Sequence, residues 1–133
     1  MSHFAKIKTQ IKSIVALRAA CKEMGFEVID NSVARGYGSN TIPGEHVIRL
    51  KGPYDIAVNK ERDGTYGLTC DWWDGRVEQE VGKDFGKLLQ TYGISLATSL
   101  MKAKGFTVKR NLLANGNVEL NAQRAVAGMG RAW

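Results

Sequence analysis

The sequence predicts an α+β fold in which two helices pack on one face of a single antiparallel sheet. Three observations predict it. Two stretches, about 13–24 and 85–104, carry apolar residues at helical spacing, and each ends on a glycine. The remaining chain breaks into short alternating runs, two of them folded back at Asp63-Gly64 and Asn115-Gly116, pairs that tolerate the positive φ of a tight hairpin turn. Finally, Lys22, Gly25, Phe26, Val28 and Asn31 recur at identical spacing as Lys102, Gly105, Phe106, Val108 and Asn111. This suggests an internal helix–strand–strand duplication, with pseudo-repeat halves at 13–51 and 84–124 and a hairpin insert at 54–73.

The elements follow in the order βαββββαββ. Ala5, Ile7, Thr9 and Ile11 share one face of an opening strand over residues 3–11. Ser13 is a good N-cap, after which Ile14, Leu17, Cys21 and Met24 form a helical stripe with Ala20 beside it. Gly25 supplies the left-handed residue that stops the helix, and Phe26–Ile29 begins a strand. Residues 31–45, rich in Gly, Ser and Asn and ending in Pro43-Gly44, read as a loop or ragged hairpin. Strands follow at 47–50, through Tyr54, Ile56 and Val58, and through Tyr66, Leu68, Cys70 and Trp72. Residues 74–84 read as a polar connector. Phe85, Leu88, Leu89, Tyr92, Leu96, Leu100 and Ala103 line the second helix, and Gly105 closes it. A last hairpin, 106–113 with 118–123, leads to the small-residue tail AVAGMGRA and Trp133.

A chain of 133 residues with 44% apolar content fits one domain, 1–133, with a packed core. No apolar run approaches the roughly 20 residues of a membrane span, and the opening lacks the apolar core of a signal peptide, so a cytoplasmic protein is expected. Cys21 and Cys70 read as small buried hydrophobes. His3 and His46 lie apart from the cysteines and from each other, and no metal-ligand spacing exists, so neither metal nor cofactor is expected. The net charge of +6 is unevenly spread. Residues 1–51 carry 8 basic and 4 acidic groups, 52–83 carry 4 and 7, and 84–133 carry 7 and 2. Basic ends flanking an acidic middle would attract nucleic acid or an acidic protein surface.

The best candidate site is the loop Arg35-Gly36-Tyr37-Gly38-Ser39-Asn40. Arg35 suits a phosphate or carboxylate, Tyr37 a stacking or hot-spot contact, and Asn40 a hydrogen bond. The loop fits neither a Walker nor a dinucleotide-binding pattern. Trp72 and Trp73 are adjacent, so one faces the core and the other outward if the stretch is a strand. Asp71, Asp74, Glu78 and Glu80 surround them, without a histidine or lysine spaced to make a mechanism. Lys6, Lys8, Lys12, Arg35, Lys102, Lys104, Lys109 and Arg110 are the candidate nucleic-acid contacts. No catalytic motif is present, and a non-enzyme is expected.

Several segments carry a family resemblance: MSHFAKIKTQIKS at the start, VARGY at 33–37, YDIAV at 54–58, TYGLTCDWW at 65–73, LLQTYG at 88–93, GFTV at 105–108, and the terminal Trp133. Together they resemble the hypothetical chloroplast open reading frame 35 family, domain-of-unknown-function family 1257. The resemblance implies a small accessory protein working with a larger machine such as an AAA+ ATPase, through protein contacts. A basic nucleic-acid-binding domain is the alternative.

Overall fold

The computed structural model describes residues 3–124. The chain divides into two compact units, Met1–Tyr92 and Gly93–Trp133. The expected tail AVAGMGRA and Trp133 lie outside the described residues.

The first unit is built on a five-stranded antiparallel sheet of order β1-β5-β4-β3-β2, with β1 Phe4–Lys8, β2 Glu27–Arg35, β3 Thr41–Arg49, β4 Ile56–Lys60 and β5 Tyr66–Asp71. The pair expected as an insert, β4 and β5, is its centre. β5 pairs with β1 (Ala5 opposite Cys70) and with β4 (Val58 opposite Leu68). Ile48, Ile56, Val58, Leu68 and Cys70 are fully buried, so the core runs through these strands. Helix α1, Ile14–Glu23, starts where Ser13 Oγ accepts the Ala16 N–H at 3.0 Å, and it buries Ala16, Leu17, Ala20 and Cys21. Its Arg18 reaches Asp30 of β2 and the ring of His46 of β3, which fixes the sheet face that α1 covers.

Residues 31–45, expected as a loop or ragged hairpin, form the hairpin: β2 runs to Arg35 and β3 starts at Thr41, with pairing that extends from Glu27↔Arg49 to Arg35↔Thr41. Pro43 is tolerated because the backbone ladder between β3 and β4 covers only His46, Val47 and Ile48, so no ladder bond to β4 is required of it. Residues 74–84 are not a plain polar connector. They hold a short helix α2, Glu78–Val81, between two 3-10 turns, Trp73–Gly75 and Lys83–Phe85, and this stretch buries Val77, Val81 and Phe85.

A change of face inside β2 shapes the site. Ile29 lies opposite Val47, yet Ala34, five residues on, packs with Val47 and Ala57. Alternation alone would send Ile29 and Ala34 to opposite faces. Asn31, at φ 49, supplies the twist that reverses the parity. The outer half of the β2–β3 hairpin therefore turns back over the sheet, and the Asp55 N–H donates to Arg35 O at 3.0 Å.

Helix α3, Gly86–Ala103, begins in the first unit, where Leu88 and Tyr92 are buried and Tyr92 Oη accepts the N–H groups of Lys12 and Ser13. In the second unit, β6 (Phe106–Leu112) and β7 (Val118–Arg124) form their own two-stranded sheet. The expected single sheet is thus two. A strand pair bounded by the Asn115-Gly116 turn satisfies its inner hydrogen bonds with itself and need not join the larger sheet. Gly25 and Gly105 do occupy equivalent left-handed positions, φ 83 and 89, at the ends of α1 and α3. The likeness of the halves goes little further, since Phe26 is buried while Phe106 is half-buried beside the guanidinium of Arg124. Among the described residues, no helix is long and apolar enough to cross a membrane.

Candidate functional site

Two buried carboxylates organise one end of the five-stranded sheet. Asp55, just before β4, is fully buried. Its Oδ2 accepts Arg35 Nε at 2.7 Å, the Arg35 backbone N–H at 3.0 Å and Arg49 Nη1 at 3.0 Å. Its Oδ1 accepts Arg35 Nη2 at 2.8 Å and the Leu50 N–H at 3.3 Å. Burial pushes this carboxyl up, but the guanidinium and N–H of Arg35 outweigh it and hold Asp55 below the usual carboxylate range. The same bidentate contact raises Arg35. Arg35 also donates to Gly52 O at 3.1 Å. Arg35 is therefore a strut that fastens the folded-back hairpin to β4, and its planar fork is already matched to a carboxylate.

Asp71, the last residue of β5, is also fully buried. Its Oδ1 accepts the N–H of His3 at 2.9 Å and of Trp73 at 3.0 Å, and its Oδ2 accepts the N–H of Tyr37 at 2.8 Å. One side chain thereby ties the lead into β1, the tip of the β2–β3 hairpin and the first 3-10 turn. Gly36 makes the approach feasible, because a Cβ there would stand 3.1 Å from Asp71 Oδ2 and 3.2 Å from its Cβ. Asn40 closes the hairpin tip with its backbone: Gly36 N–H donates to Asn40 O at 2.9 Å, and Asn40 N–H to Tyr37 O at 3.1 Å.

Above these anchors stand aromatic rings. Tyr37 meets Trp73 edge-on, centroids 6.3 Å apart at 78°, and the His3 ring lies 5.4 Å from that of Trp73. Tyr37 remains 47% exposed, and Trp73 is half-buried. Trp72 turns elsewhere, 4.9 Å from the buried ring of Phe85. The two tryptophans diverge, but both are half-buried rather than one in the core and one outward, because β5 ends at Asp71 and Trp73 lies in a 3-10 turn.

Of the candidate residues, Arg35, Tyr37, Asn40 and Trp73 therefore lie at one end of the sheet. Lys6 and Lys8 belong to β1, away from that corner, and pair with Glu61 at 2.8 Å and Asp63 at 3.0 Å. Lys109 and Arg110 belong to the second unit, on opposite faces of the β6–β7 hairpin by alternation. Asp74 pairs with Arg76, and Glu80 accepts the N–H groups of Lys51 and Gly52 at 2.7 and 3.1 Å. Among the described residues, no group of three His, Cys, Asp or Glu could hold a metal ion. Cys21 and Cys70 are free and buried, and burial pushes both thiols up to about 12. Sequence reasoning missed Asp55, His3 and the anchoring role of Asp71. The available signals were single acids flanking apolar strands, in YDIAV and TCDWW.

Comparison with known proteins places this chain in a family. The family model described as "Protein of unknown function (DUF1257)" matches residues 20–120, and the chain belongs to that family. It is 26% identical over 126 residues to an uncharacterised protein designated ycf35 from Guillardia theta, covering 93% of this chain and 98% of that protein. No solved structure matches the chain.

Proposed function

We propose that this protein is a non-enzymatic interaction module that meets a protein partner at the Tyr37–Trp73 corner. The observation that carries the reading is the anchoring of an exposed aromatic ring. Tyr37 is held through its backbone by the buried Asp71 and through its ring by Trp73, yet nearly half of it faces solvent. Aromatic side chains of this kind dominate binding energy at protein interfaces, and one already fixed in place loses little further entropy on binding. The carboxylates at the corner support a scaffolding role, since Asp55 and Asp71 accept hydrogen bonds from the chain segments they join. The family resemblance adds a larger machine such as an AAA+ ATPase as the kind of partner.

The alternative, a basic nucleic-acid-binding surface spanning both ends of the chain, loses support in the first unit. Lys6, Lys8 and Arg35 are each engaged by a carboxylate. Affinity capture at near-native expression, read by mass spectrometry, tests the protein-partner reading. A partner recovered with the native chain and lost with Tyr37→Ala is the expected result. Recovery of no protein, or of the same protein by both chains, overturns it.

A further inference from the structure

The second unit has a surface that the aromatic corner does not use. Residues 93–124 hold five basic side chains, Lys102, Lys104, Lys109, Arg110 and Arg124, and a single acid, Glu119. All five basic residues are exposed. The ion pairs found among the described residues fall between Lys6 and Arg76 in the first unit, and Lys102, Lys104 and Lys109 have no acidic partner among the described residues.

The β6–β7 hairpin gives this charge a shape. Its register places Thr107 opposite Gln123, Lys109 opposite Asn121, and Asn111 opposite Glu119. These six side chains share one face by alternation, and all six are exposed. The other face carries Phe106, Val108, Val118 and Leu120, each half-buried. The outer face thus combines amides, a hydroxyl and an ammonium, with one carboxylate. Glu119 Oε1 accepts the side-chain N–H groups of Asn111 at 3.3 Å and Asn121 at 3.0 Å, which orients both amides.

We infer that the β6–β7 hairpin is a double-stranded DNA-binding ribbon that enters the major groove with its Thr107, Lys109, Asn111, Asn121 and Gln123 face. The groove, about 12 Å wide, admits a two-stranded ribbon. Side chains on one face of a strand repeat at about 6.6 Å, close to two base-pair steps of about 3.4 Å each. Amides suit the adenine N6/N7 edge, an ammonium suits guanine O6/N7, and a carboxylate accepts from cytosine N4. Lys102 and Lys104, just before β6, and Arg124, paired with Phe106 at the end of β7, set cations at the root of the ribbon, where phosphates would lie. An acidic protein would be drawn by the same charge but would not need a face of amides aligned at this repeat.

The test uses the full chain and labelled mixed-sequence oligonucleotides across a salt series. Duplex DNA binds more tightly than single strands, and affinity falls steeply with salt. Lys102→Ala with Lys104→Ala lowers the log–log salt slope by about 1.8, at about 0.9 for each phosphate no longer neutralised. Lys6→Ala with Lys8→Ala leaves the slope unchanged. Asn121→Ala keeps the slope but erases a preference of about ten-fold at one base pair in selection from a randomised duplex pool. Circular dichroism confirms that each variant keeps its fold. Absence of duplex binding at low salt, equal or tighter single-strand binding, or displacement of the duplex by polyglutamate at equal charge overturns the inference.

Discussion

Replacing Arg35 with alanine should destabilise the first unit far more than its surface position suggests. Asp55 is fully buried and takes three of its five protein hydrogen bonds from Arg35, two through the guanidinium and one through the backbone N–H. Arg35→Ala leaves the backbone donor, Leu50 N–H and Arg49 in place but removes the bidentate partner. Breaking one side of a buried ion pair costs about 3–5 kcal/mol. Asp55 keeps Arg49 Nη1 at 3.0 Å and two backbone N–H donors, and the Arg35 side chain is 47% exposed, so the cost falls below that range, at about 2 kcal/mol. Because Asp55 is held below its ordinary value, its contribution is present above the unfolded carboxylate pKa of about 3.9 and is lost as pH falls through the folded value. The native chain should therefore lose stability below about pH 4, and Arg35→Ala should lose less over the same range. Urea unfolding of Arg35→Ala, Asp55→Asn and the double variant, at pH 7 and in steps down to pH 3, measures all of this. A cost under about 1 kcal/mol for Arg35→Ala, or strict additivity in the double variant, would refute the strut.

Three further outcomes follow from burial and backbone. Gly105→Ala, at φ 89, should cost about 1 kcal/mol or more in thermal or urea unfolding, as should Gly25→Ala at φ 83. Phe26→Ala should cost about 3–5 kcal/mol, whereas the half-buried Phe106 should cost about 2, so equal losses would contradict the inequivalence of the two halves. Cys21 and Cys70, with thiols pushed up to about 12, should resist iodoacetamide at about pH 8 while folded and react once the chain is unfolded in urea, as read by intact mass.

What was legible in the sequence follows its local chemistry. Ser13 and Gly25 bracket α1 because capping is decided within a few residues. Apolar alternation marked β4 and β5, and Asn115-Gly116 marked the last hairpin. The outer half of β2 and β3 read only as a loop or ragged hairpin because its strand pairing depends on a left-handed Asn31 and on contacts with Asp55 and Asp71, distant in sequence. Val77 and Val81 were hidden because their polar neighbours outnumber them and no regular period links them, and Phe85, read as the start of the second helix, sits in the 3-10 turn before it. The loop at 35–40 was singled out for Arg35, and the structure gives that residue a different part. Arg35, chosen to hold a ligand, holds Asp55, and the exposed chemistry belongs to Tyr37. Nothing in the local sequence distinguishes an arginine facing a ligand from one facing a buried acid far along the chain.

Site-specific photocrosslinking tests the proposed interaction surface most directly. A benzoylphenylalanine placed at Tyr37 probes the corner, and the same group at Val15, 75% exposed on α1, serves as a control of greater access. Irradiation in cells at near-native expression should give a discrete protein adduct from position 37 and none from position 15. No adduct at 37, or the same adducts from both positions, would contradict the account.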